Sequence, residues 1–216
     1  MKTKYMIPAA AMLAAGAVFS QAAIAAPPQK DSSSFKGDSA SVWLSHFEPG
    51  VSPSPGDSCG TITDVNIWAM SNVAHSGPGK PTAATEVSAA IYTYDTCTGE
   101  TLFSGYGVLP NAGFVSSGTT SASLNAKIDM FDWYNGSTVT LLVSLTVTGV
   151  GDTSHTNYRS NDRFGNMSIT SRWNGSYREA TASGDVVWMG ADLVESSTVS
   201  ASLSKVSSGY RVTTRY

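Results

Sequence analysis

Between Ser121 and Thr148 apolar and polar residues alternate on both sides of Asn135-Gly136. Alternation with a period of two marks a half-buried strand. Asn-Gly between two such runs is a strong hairpin signal, because a two-residue I′ loop needs positive φ at both central positions. With Asn135 and Gly136 as the loop, the expected partners are Met130 with Leu141, Ile128 with Val143, Ala126 with Leu145 and Leu124 with Val147. One face of the hairpin is then dry, and the other, with Asn125, Lys127 and Asp129, is wet.

The same patterning recurs along the chain. Strands are expected at 40–47, 61–70, 84–94, 101–109, 121–130, 138–148, 167–173, 177–182, 185–189, 199–206 and 210–214, separated by turn residues at the spacing of sandwiches and barrels. No stretch keeps a 3.6-residue period with caps, so little helix is expected. The class that follows is all-β: an antiparallel, jelly-roll-like β-sandwich of about 10–11 strands with one disulfide, the alternative being a small β-barrel. Asn174-Gly175 predicts a second hairpin, with Ile169 opposite Ala180.

The first 26 residues break this pattern. Lys2 and Lys4, the apolar run from Met6 to Phe19 and Ala23-Ile24-Ala25 read as a cleaved secretory signal peptide over 1–26. Residues 27–38 are polar without periodicity and read as a flexible N-terminal segment, leaving 39–216 as a single β-sandwich domain. Export changes the meaning of the two cysteines, Cys59 and Cys97, which are expected to form a disulfide. If they close neighbouring antiparallel strands, Val65 lies opposite Ile91, Ile67 opposite Ala89 and Ala69 opposite Val87. Apolar meets apolar at each pair. The expected location is secreted or periplasmic/extracellular.

Only 13% of residues are charged, which suits solvated strand faces built from hydroxyls. The net charge is −3, which argues against nucleic acid as a general partner. The distribution is uneven, because all the arginines lie at or beyond Arg159. The segment Gly149 to Asn166 reads as a long loop, and with the second hairpin it gathers Tyr158, Arg159, Arg163, Arg172, Trp173 and Tyr177. Aromatic rings can stack on sugars, and arginine makes bidentate contacts to carboxylate or phosphate, so this set is the candidate ligand-binding cluster.

Catalytic constellations are thin. Gly56-Asp57-Ser58-Cys59-Gly60 resembles the serine segment of trypsin-like proteases, and Gly37-Asp38-Ser39 the start of a GDSL esterase motif. Both lack the required context: the first falls too early and spends its cysteine on a disulfide, and the second follows a polar run instead of a buried strand. His46, His75 and His155 are isolated, so no metal ligand set is expected. Asp152, Asn157, Asn161 and Asp162 offer oxygen ligands suited to calcium without the spacing of a calcium loop, and no cofactor is expected.

Three functional readings follow. The first is an exported, non-catalytic binding or adhesion protein whose partner is a cell-surface polysaccharide or protein, such as an anionic glycan. The second is a small outer-membrane β-barrel, which turns the dry hairpin face toward lipid and is the one reading with a membrane partner. The third is a secreted jelly-roll glycanase using Glu86 and Glu179 as its carboxyl pair.

Overall fold

A computed structural model describes residues 29–50, 59–195 and 197–215. The expected signal peptide and the Gly56 to Ser58 part of the protease-like motif lie outside them. The described chain forms eleven strands: β1 (Gln29–Pro49), β2 (Gly60–Ser76), β3 (Thr82–Asp95), β4 (Thr101–Pro110), β5 (Gly113–Ser116), β6 (Ser121–Asp132), β7 (Thr138–Gly149), β8 (Ser154–Phe164), β9 (Met167–Trp188), β10 (Ala191–Asp192) and β11 (Ser197–Thr214). All pairings are antiparallel, and no helix occurs among the described residues.

The strands make two layers. A long sheet runs β4-β3-β2-β1-β11-β9-β8, and a short one runs β5-β6-β7-β9-β10. They join at two corners. β9 leaves β11 at Ala180 and continues beside β7 to Trp188, while β4 touches β6 through Gly105↔Asp132 and Tyr106↔Phe131. The strands therefore close a ring whose opposing walls pack as the two sheets of a sandwich do, and the chain follows that ring as a meander.

Alternation decides what fills the ring. Val42 and Leu44 of β1, Val65 and Ile67 of β2, and Val87 and Ile91 of β3 face Leu124, Ile128, Leu141, Val143 and Val147 of the short sheet, all of them buried. Phe103 and Trp188 meet edge to face in this core, with ring centroids 4.7 Å apart. The dry faces of β6 and β7 thus point inward, and Lys127 and Asp129 stand exposed outside. The lipid-embedded alternative turned this hairpin's dry face outward, and the structure turns it inward.

The expected disulfide joins Cys59 to Cys97, and β2 pairs with β3 in the expected register, Val65↔Ile91, Ile67↔Ala89 and Ala69↔Val87. The Asn135-Gly136 hairpin has the expected dry face but a register two residues away, with Ile128 opposite Leu141 and Leu124 opposite Leu145. The cause is Asp132. Its carboxylate accepts from the Tyr134 N–H at 2.9 Å and from Asn135 Nδ2 at 2.7 Å, and the Asp132 N–H donates to Ser137 O. Those bonds hold a wider loop in which Gly136 alone takes positive φ.

Burial works against ionisation of Asp132, yet hydrogen bonds from the Tyr134 backbone, the Asn135 side chain and the Ser104 and Asn135 backbones outweigh it. They hold this carboxyl below the usual carboxylate range. A depressed acid stabilises the fold above its unfolded-state pKa and loses that contribution as pH falls through the folded value. Asp132→Asn is expected to be less stable than wild type at pH 7, with the gap narrowing below about pH 4 in urea melts. A gap independent of pH would contradict this.

Two expectations fail for one reason each. Asn174-Gly175 is no turn but the middle of β9: the Trp173 indole lies over Gly175, where an added Cβ would meet it at 2.4 Å, so this glycine makes room for a ring. The true turn into β9 is Gly165-Asn166, with Gly165 at φ 58. The segment from Gln29 to Asp38, expected to be flexible, is the outer half of β1, paired with β11 along its whole length and with β2 from Ser33 onward. Its polarity reflects solvated faces, not the absence of a strand.

Candidate functional site

The long sheet extends past the short one. β8 and the outer halves of β9, β11, β1 and β2 form a wing whose inner face continues the wall of the core, with no second layer over it among the described residues. Along β1 this face reads Leu44, Val42 and Ala40 under the short sheet, then Asp38, Lys36, Ser34, Ser32 and Lys30 beyond it. The change from apolar to charged marks where cover ends.

Cross-strand register sets the charges side by side. One row runs Arg159, Arg172, Gly209, Ser34, His75 across five strands. The next row outward carries Asn161, Thr170, Arg211 and Ser32, and the next inward Asn157, Asn174, Ser207 and Lys36. Arg163, Lys30 and Lys205 and, nearer the core, His155 and Arg178 complete the face, against the carboxylate of Asp38 alone among the described residues. Arg159 and Arg172 are direct cross-strand partners, an arrangement that costs stability in the absence of a counter-ion. Among the described residues neither takes an ion-pair or hydrogen-bond partner.

Gly209 shapes the site. It stands in the charged row where any other residue would project a side chain, and it opens a groove of about 480 Å³ lined by Ser32, Ser34, His75, Arg159, Arg172 and Arg211. A Cβ at this position would meet nothing closer than 3.4 Å, so the glycine is not demanded by the backbone. The groove offers guanidinium forks on one side, an imidazole on the other and hydroxyls at its base, which is the donor set for an oxyanion.

The six residues of the sequence-derived cluster divide between two faces. Segment 149–166 is not a loop, because Ser154–Phe164 is β8. Arg159, Arg163 and Arg172 share the inner, basic face, whereas Tyr158, Trp173 and Tyr177 stand on the outer face, Tyr158 and Trp173 as direct partners. Trp173 and Tyr177 thus stand on the face opposite the arginines, while Tyr158, at the β8 edge, lines a shallow depression together with Arg159 and Arg172. Sequence reasoning missed His75, Arg211, Lys36, Ser32 and Ser34. The signal was present: Lys30, Ser32, Ser34 and Lys36 keep the parity of Ala40, Val42 and Leu44, as a continuous strand requires.

Glu86 and Glu179 do not form a glycanase pair. They lie on β3 and β9 of the long sheet, both on its outer face, separated by four strand spacings or about 19 Å. Such a pair must face across a cleft at less than about 10 Å. No group of His, Cys, Asp and Glu suited to a metal occurs among the described residues.

No protein-family model matches the chain, and no curated protein matches it. A solved structure, an acetoacetate decarboxylase-like enzyme from Sphingomonas wittichii RW1, aligns over 86% of this chain and 92% of its own with 11% identity and a TM-score of 0.29. A likeness at that level carries neither fold nor activity.

Proposed function

We propose that the chain is an exported, non-catalytic binding protein of the cell surface or extracellular space, whose basic groove holds an anionic surface polymer such as an acidic glycan. The observation that carries this reading is the row Arg159, Arg172, Gly209, Ser34, His75 on an uncovered sheet face. The groove is open along the sheet, so a polymer can run through it. The disulfide fits an oxidising, extracytoplasmic compartment.

Two variants separate binding from folding. Arg159→Ala with Arg172→Ala is expected to weaken binding to polygalacturonate or alginate about a hundredfold, from the loss of two charge-assisted contacts. Gly209→Leu is expected to fill the groove and abolish binding with the thermal midpoint held, since a side chain has room there. Wild-type affinity is expected to fall with added salt. Equal retardation of wild type and both variants in polyanion-containing gels would end the reading.

A further inference from the structure

The outer face of the long sheet differs in charge from the inner one. Its outward positions carry Asp31, Asp64, Glu86, Asp162 and Glu179 and no lysine or arginine. Where this face backs the core, four large rings stand on adjacent strands: Trp43 on β1, Trp68 on β2, Tyr92 on β3 and Tyr106 on β4. Each is about two-fifths exposed. Trp43 shares a row with Asn66, Ala90 and Tyr106, Trp68 one with Ser41 and Ser88, and Tyr92 one with Asp64 and Ser104. Large rings thus alternate with small residues, with Val108 at the end of the Trp68 row, over a patch about 14 Å on a side, from three strand spacings by four residues of rise.

Within this patch Asp64 Oδ1 is buried and has no hydrogen-bond partner among the described residues. The chain itself covers that oxygen, so the carboxylate, half-buried as a whole, meets a ligand only through its other oxygen. An occupant suited to this face supplies a donor to that oxygen, presents flat apolar surface to the rings, and carries no negative charge toward Asp64 and Glu86. A hydroxyl-rich, uncharged sugar polymer meets all three requirements. Polyanions, nucleic acid included, are repelled.

We propose that the outer face of β1 to β4 is a second binding surface, taking an uncharged, extended polysaccharide whose pyranose rings lie on Trp43, Trp68, Tyr92 and Tyr106 while a sugar hydroxyl donates to Asp64. This surface is independent of the basic groove and lies on the opposite side of the same sheet. A single molecule then joins a neutral polymer to an acidic one.

Affinity electrophoresis through gels containing hydroxyethylcellulose, xyloglucan or galactomannan tests it, with wild type, Trp43→Ala, Trp68→Ala and Asp64→Ala run in parallel. Retardation of wild type by at least one polymer is expected. Each variant should weaken it about tenfold, with the folded far-UV spectrum retained. Arg159→Ala with Arg172→Ala should be retarded as wild type is, so failure of the groove reading leaves this one standing. Because removal of a ring could disturb folding, intrinsic fluorescence of the unmodified protein gives a second readout: saturable blue shift or quenching on titration with cellohexaose or the polymers supports the site. No retardation and no spectral change with any of the three polymers overturns the proposal. So does a dimer, seen by sedimentation, that Trp68→Ala dissolves, since the face is then covered by a second copy.

Discussion

Removing the Cys59–Cys97 bridge is expected to lower the stability of the folded chain by about 4 kcal/mol. The bridge spans 38 residues, and on the chain-entropy account the freedom regained by an unfolded loop of that length sets the size of the loss. Its position matters as well, because it ties the start of β2 to the turn after β3, beside Thr61↔Asp95. The Thr96 side chain and backbone also bond to Gly60, so the junction is held at more than one point. The folded register should therefore survive loss of the bridge, with the cost falling on the unfolded state. Urea melts of Cys59→Ser with Cys97→Ser should show a lower midpoint. An unchanged midpoint would show that the bridge constrains nothing.

The second large effect is at Gly184, where β9 turns the corner between the sheets. Its φ is 117, a region closed to side chains, and an added Cβ would lie 2.2 Å from the Ser144 carbonyl oxygen of β7. Gly184→Ala must either break Leu145↔Gly184 and its neighbours or distort the bend, so a loss of roughly 4 kcal/mol or more is expected. Because this seam closes the ring, hydrogen exchange should show the loss of protection first along β7 and β9. Wild-type stability in this variant would mean that the corner yields easily.

Local chemistry carried much of the fold. Val65 and Ile67 alternate with Asp64 and Asn66, and a cysteine near the end of each strand left one register in which apolar partners meet. The Ser121 to Thr148 hairpin was legible as to face, since a shift of two residues leaves inside and outside unchanged. Its register was not, because the loop depends on how Asp132 captures Tyr134 and Asn135, and Asn-Gly alone does not encode that. At Asn174-Gly175 the same dipeptide sits in a strand, where the Trp173 ring uses the space a side chain would take.

For the site, residue types were visible and their sides were not. Arg159, Arg163, Arg172, Tyr158, Trp173 and Tyr177 lie close in sequence, yet a strand sends neighbours to opposite faces, so closeness along the chain put Trp173 and Tyr177 on the face opposite the guanidiniums. The partners that complete the groove come from β1, β2 and β11, as far away in sequence as Ser34, His75 and Gly209. Composition and alternation by themselves determined an all-β, disulfide-closed chain whose core strands each have one dry face, because those properties follow from burial and pairing at short range. Only the tertiary structure decided where the second sheet stops. That boundary turns one face of β1 from core into a charged groove, and no local pattern contains it, since cover is supplied by strands distant in sequence.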